Sequence, residues 1–170
     1  KIDMDAADLD IVYGDKIAVS LNYPDKFAPK ISFDDGQIVI DQNMKVAHFN
    51  ELDSYKVEVV IPKGTNLDKL KLDVDAGDID IIAITCDDVD LDVDAGDINV
   101  EDATFESTKI VADAGSIKVN DSELGDLVVS ADLGSIDLED VTFEKGHVSA
   151  DCGDVRIKGK FDTLKASCDL

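Results

Sequence analysis

Tryptophan is missing from this chain of 170 residues, phenylalanine and tyrosine number six and three, and there are only three prolines. With aromatics at 5% and hydrophobic residues at 44%, a core has to be assembled from Val, Ile, Leu and Ala. Cations are scarce too. Sixteen Lys and Arg face 39 Asp and Glu, a formal charge of −23, and Arg156 is the single arginine. Such a surface has nothing to offer a phosphate backbone or an anionic lipid, so nucleic-acid binding and polybasic membrane docking are excluded. No run of 18 apolar residues occurs, so this segment does not insert into a bilayer as a helix. Cys86, Cys152 and Cys168 are odd in number and form no CxxC pair, which argues against a disulfide framework.

What the chain does have is repetition. Gly77, Gly96, Gly115, Gly134 and Gly153 are 19 residues apart at every step. Each sits in one phrase: Val-Asp-Ala-Gly-Asp-Ile at 74–79 and 93–98, Ala-Asp-Ala-Gly-Ser-Ile at 112–117, Ala-Asp-Leu-Gly-Ser-Ile at 131–136, Ala-Asp-Cys-Gly-Asp-Val at 150–155. In register, Leu72, Leu91, Ile110, Val129 and Val148 form one apolar column, and Ile79, Ile98, Ile117, Ile136 and Val155 another. Apolar and polar residues alternate on both sides of the glycine, the period of half-buried strands. Each unit therefore reads strand, sharp bend, strand. A glycine at the bend permits a positive φ, and the Asp before it can accept from backbone N–H groups just downstream. Cys86, Phe105, Leu124 and Phe143 mark a further inward column.

Stacked in register, such units bury their apolar faces on one another, which is a β-solenoid; a run of independent hairpins would not need such constant columns. The expected fold is all-β: one β-solenoid domain over 1–170, right-handed by analogy with other β-helices. Residues 72–170 form the regular 19-residue coils, the last one cut short, and 1–71 form irregular N-terminal coils and a cap. In that first part, 2–11 and 31–40 align with 72–81 as degraded copies, Ala7 and Gly36 standing at the glycine position. Pro62 to Asn66 reads as a turn after a strand from Tyr55 to Ile61. Lys1 in place of an initiator Met and a final repeat stopping at Leu170 are expected of a segment cut from a longer chain, with targeting segments outside it.

Two acidic columns are the candidate sites. Asp75, Asp94, Asp113, Asp132 and Asp151 share one, and Asp78, Asp97 and Asp154 share the next with Ser116 and Ser135. No cofactor is expected; stacked carboxylates are the hard oxygen ligands that calcium prefers, which makes calcium the one alternative for the ladder. The competing reading makes the first column turn caps and the second solvated surface. Calcium-binding glycine-rich repeats have a nine-residue period, which is absent here. Charge is also uneven: 72–109 holds thirteen acids and one lysine, whereas 148–166 holds three acids and four bases. Cys86 and Cys152 read as small buried hydrophobes, and His48 and His147 as isolated residues without metal-ligand spacing.

The Asp-x-Gly-Asp/Ser-Ile phrase, preceded by a strand ending Val59-Val60-Ile61-Pro62-Lys63, resembles a bacterial family of adhesin-like proteins built of β-strand repeats, a domain of unknown function. That resemblance implies a β-helix-like module of exported or envelope-associated proteins, with no catalytic residues to carry over. The residues agree on catalysis: there is no G-x-S-x-G, no Walker A motif, and no Cys/His pairing of recognisable spacing. The expectation is a non-catalytic binding or scaffolding module of the cell envelope, extracytoplasmic, with a protein or glycan partner and an acidic face. The alternatives are a calcium-stabilised extracellular module and an acidic β-helix that binds a basic protein.

Overall fold

The computed structural model describes residues 1–25, 27–34, 36–43 and 55–169. Every element among them is a β-strand. In the regular part, β7 (Asn66–Ala76), β9 (Thr85–Ala95), β11 (Thr104–Ala114) and β13 (Asp126–Leu133) are long strands. They alternate with the short β8 (Ile79–Ile82), β10 (Ile98–Glu101) and β12 (Ile117–Asn120). β14 (Ile136–Cys152) and β15 (Val155–Cys168) run through both parts of a coil without a break. Long strands pair in parallel with long, short with short. Leu72 lies beside Leu91, Leu91 beside Ile110, and Ile98 between Ile79 and Ile117, so the register shift equals the 19-residue repeat. The chain is a β-solenoid.

The inward columns make the core. Leu72, Leu91, Ile110, Val129 and Val148 are fully buried, as are Ile79, Ile98, Ile117 and Ile136. Alternation slips at 87–88 and 106–107, where two successive residues face outward and the long strand bends. Past that bend Cys86, Phe105, Leu124 and Phe143 fill the bore. Thr108 and Ser122 are buried polar residues of the regular coils; the Ser122 Oγ donates to the Asn120 carbonyl at 2.7 Å and accepts from the Ala103 N–H at 3.1 Å, so it is satisfied.

The recurrent glycines are there for room. The expected positive φ is present at Gly77 (142°), Gly96 (153°) and Gly153 (159°) and absent at Gly115. A Cβ on Gly115 would overlap the Gly96 carbonyl one coil below, and the same holds from Gly77 to Gly153. The backbones of successive bends touch, and only glycine fits between them. A further set of positive φ values lies at a second bend, at Ala83, Asp102, Asp121 and Asp140, between 48° and 61°. These also recur every 19 residues, and Asp is among the residues that tolerate this conformation.

The N-terminal part departs from chain order. β1 (Ile2–Met4) and β2 (Asp8–Gly14) form a coil on β7 and β8, with Ile2 beside Leu72 and Leu9 beside Ile79, in the register the aligned phrase predicts. The next layer outward comes later in the chain: β5 (Gln37–Asp41) pairs β1, and β6 (Lys56–Pro62) pairs β2. β3 (Ala18–Asn22) and β4 (Lys30–Asp34) then close the edges antiparallel to β6 and β5. Residues 31–40 are therefore an antiparallel hairpin, with Ile31 opposite Ile40, and not a copy of the coil. Asp34 pairs with Gln37, leaving a two-residue connection that contains Gly36 at φ +79°, the short connection that favours hairpins. The turn at 62–65 forms as expected, the Thr65 N–H donating to the Pro62 carbonyl. Tyr23 stacks on Tyr55 at 4.9 Å, and buried Gln42 bonds Ala6 and Phe27, plugging this end.

Candidate functional site

The two acidic columns exchange the roles expected of them. The Asp78 carboxylate accepts from the Asp97 N–H at 2.8 Å, and Asp97 from the Ser116 N–H at 2.7 Å. Asp8 serves the Asp78 N–H, and the Ser135 hydroxyl serves the Asp154 N–H at 3.3 Å. From Asp8 through Ser135 the side chains of this column hold the bend of the next coil, a ladder of charge-assisted bonds where the donor is aspartate-capped. Asp75, Asp94, Asp113, Asp132 and Asp151 instead stand exposed on the outer surface. They cap nothing.

Beside that exposed column runs another that the phrase alignment did not single out. Asp41, Asp3, Asp73 and Asp92 follow one another across β5, β1, β7 and β9 in direct register, and the column then turns neutral at Val111, Ser130, Ser149 and Ser167. Neighbours in such a column are about 4.8 Å apart, so their charges repel. Burial, then Asp5, Asp94 and Asp73, hold the Asp75 carboxyl above the usual range. Burial and Asp73 do the same to Asp92, with Lys109 opposing. One column further, burial pushes Asp90 up, but Lys71 at 3.1 Å and Lys109 at 3.3 Å on either side overcome it and lower its pKa.

Elsewhere lysines sit over carboxylates of a neighbouring coil. Lys69 pairs with Asp88, Lys145 with Asp126 at 3.4 Å, and Lys158 with Glu139 at 3.0 Å. A groove of about 580 Å³ runs over this outer face of the long strands, past Lys69, Asp90, Lys109 and His147. A second, of about 650 Å³, follows the bend at Glu106, Glu123 and Glu144 over the Phe143 and Phe161 rings. Among the described residues no three His, Cys, Asp or Glu side chains are grouped as a metal ion would need. The acids lie in lines, which spreads charge along the solenoid without converging on a point.

All three cysteines are free thiols. Cys86 is buried, and that burial pushes its pKa up to about 11, so it is a packing residue. Cys152, expected inside, is exposed, because the column of Ala95, Ala114 and Leu133 lies on the outer rim of the bend; Leu133 itself is 62% exposed. The small apolar residues of that column suggest burial, but alternation does not survive the bend, and the position two residues after the inward Ala150 faces outward. His147 is exposed, and His48 lies outside the described residues.

The sequence profile of the Toastrack DUF4097 family matches residues 1–170 in full. The chain belongs to the Toastrack family. No curated protein matches it. Among solved structures it is similar to a crystal structure from Bacteroides fragilis named a "putative adhesin", at 16% identity and a TM-score of 0.44, over 98% of this chain and 91% of that one. Among the described residues no helix is long and apolar enough to cross a membrane.

Proposed function

We propose that this chain is a non-catalytic binding or scaffolding module of the bacterial cell envelope, acting outside the cytoplasm through its acidic outer face. The observation that carries the reading is the pair of neighbouring carboxylate columns, Asp3, Asp73 and Asp92 beside Asp75 and Asp94, fixed on parallel strands with like charges in register. Rigid strands hold these groups at set spacing, so a cation-bearing partner meets a preorganised template and repays the repulsion stored in it. Membership of a family without known chemistry and the linear layout of the acids both support a role without catalysis.

The test is capture by the full chain of cell-wall glycans on one side and basic proteins on the other, at low and high salt. The partner is expected to be lost when Asp73, Asp75, Asp92 and Asp94 are all changed to Asn. Retention of every partner by that variant would end the template reading. Asp78 and Asp97 are unsuitable for this purpose, because they hold the bends.

The same columns motivate the second reading, calcium as a stabilising ion along the ladder of Asp75, Asp94, Asp113, Asp132 and Asp151. An ion that binds only the folded state raises stability by about 2.7 kcal/mol at a hundredfold excess over Kd. A melt in calcium that rises above one at matched ionic strength with chelator supports it; coincident melts sink it.

A further inference from the structure

The groove of about 580 Å³ on the flank of the long strands lies between two rails, outward positions two residues apart on each strand. Between the rails the buried Val89, Thr108, Leu127 and Gly146 turn inward, so the floor is paired backbone. Across the rails, the rungs alternate in sign. β7 contributes Lys69 and Lys71, and β9 sets Asp88 and Asp90 beside them in register. β11 answers with Ser107 and Lys109, β13 with Asp126 and Val128, and β14 with Lys145 and His147. Charge thus reverses at every coil, about 4.8 Å, and returns after two. The pattern stops at β15, which sets Thr163 beside Lys165.

Neighbouring rungs pair with one another, Lys71 and Lys109 with Asp90 and Lys145 with Asp126. Exposed pairs of this kind contribute little to stability, and Lys145 and Asp126 keep more than half of their side-chain surface open to a ligand. The dimensions select the ligand. Rails about 6.6 Å apart are too close to admit an α-helix, which is about 10–12 Å across. An extended polypeptide repeats its like-facing side chains every 6.6 Å or so, out of step with the coils. One pyranose ring of an extended β-linked glycan advances by nearly one coil. A charge of −23 rejects a polymer that is anionic at every unit.

We propose that this groove binds a linear β-linked glycan, laid along the solenoid axis, in which a carboxylated sugar alternates with an N-acetylated amino sugar. Carboxylates fall on the basic rungs of β7, β11 and β14, and the amide and hydroxyl donors of the intervening sugars fall on Asp88, Asp90 and Asp126. Val128, 45% exposed, meets the C–H face of a ring. The site lies on the flank, so further coils stacked at either end would leave it open. It is separate from the acidic columns that receive cations and does not rest on them.

The probe is a hyaluronan octasaccharide, whose repeat is one glucuronate and one N-acetylglucosamine, titrated into the 170-residue protein by calorimetry and followed by amide chemical shifts. A chitin octasaccharide, without carboxylates, and an oligogalacturonate, with one on every ring, are the comparisons. The alternating glycan is expected to bind at least about tenfold more tightly than either, with shifts at Lys109, Val128 and His147. The Asp126→Lys/Lys145→Asp protein keeps an ion pair, the net charge and the melting temperature but inverts two rungs, and it should lose about tenfold in affinity. Lys109→Gln/His147→Gln, at two exposed positions, should lose about as much. The protein with Asn at 73, 75, 92 and 94 should bind the octasaccharide at least as well as the parent, which tells loss of a cation-bearing partner from loss of the glycan. Equal affinity for the three sugars, or for the parent and the exchanged protein, would reduce the rungs to ion pairs between coils and overturn the proposal. No binding at about 1 mM, or shifts confined to the column of Asp75, would overturn it too.

Discussion

The coils over 72–109 and the coil over 148–166 share one backbone plan, yet the first holds thirteen acids and one lysine and the second three acids and four bases. What they share is the inward column, the bend glycine and the two aspartates flanking it; what they differ in is most of the other outward positions. In a solenoid each layer touches only its neighbours, so shape is written in a few residues per coil and the surface is left free. Along this chain that freedom produces a gradient, from the aspartate columns of β1, β7 and β9 to the serines and lysines of β14 and β15. The layers also differ in cover. Among the described residues a central coil is packed from above and below, and β15 from below.

The largest test of that contrast is truncation of one leucine in each place. Leu91→Ala leaves a cavity between two coils and should cost about 2–5 kcal/mol, whereas half-buried Leu164→Ala should cost less than about 1 kcal/mol. Equal losses in denaturant melts would mean that the last coil is covered as well as the rest. Next comes the bend. Gly115→Val drives a side chain into the Gly96 carbonyl and should cost on the order of 1–3 kcal/mol. Gly36→Val, in the N-terminal hairpin with open space around it, meets only the penalty of positive φ, about 1–2 kcal/mol. An unchanged melting temperature for the first would mean the stacked backbones can part.

Much of this was legible beforehand because the inward residues obey a strict period. The columns of Leu72 and Ile79 and the buried Cys86 follow from counting by 19, and the coil of 2–11 from matching the phrase at 72–81. Where the sequence misled, a local rule was competing with the repeat. Residues 31–40 match the phrase, but a two-residue connection at Gly36 makes a hairpin, and nothing in the alternation separates the two. The bend glycines read as φ>0 positions, which holds at Gly77, Gly96 and Gly153 and not at Gly115; contact between coils is what requires glycine in every copy, a fact invisible until the layers are stacked. Asp102, Asp121 and Asp140 carried a readable signal in the same period and mark the true left-handed positions. The acidic columns were legible as columns, but which one bonds the backbone depends on the direction each side chain leaves the bend.

That exchange of roles is itself testable at a smaller scale. Asp97→Ala strips the Ser116 N–H of its acceptor and should cost about 0.5–1.5 kcal/mol. Asp94→Ala, one column away and exposed, removes a repulsive charge and should be neutral or slightly stabilising. The reverse order would restore the original assignment of the two columns.

The smallest effect separates the acidic columns from the paired one by pH. Asp75 and Asp92 have folded pKa values raised above the ordinary 3.8. Raised values mean the folded state holds protons that the unfolded chain has given up, so their contribution is full below 3.8 and fades as pH climbs through the folded values. Asp90 is lowered, and its contribution is present above 3.8 and lost as pH falls through its folded value. The Asp75→Asn/Asp92→Asn protein should therefore be more stable than the parent near neutrality, the gap closing toward about pH 3, while Asp90→Asn should be less stable near neutrality and converge with the parent in acid. General repulsion in a chain of −23 affects parent and variants alike. The pH dependence of the differences, read from melts across that range, is what reports the columns. Parallel curves for parent and double variant would mean that the stacked aspartates relax apart in solution, and a template with fixed spacing would then have no physical basis.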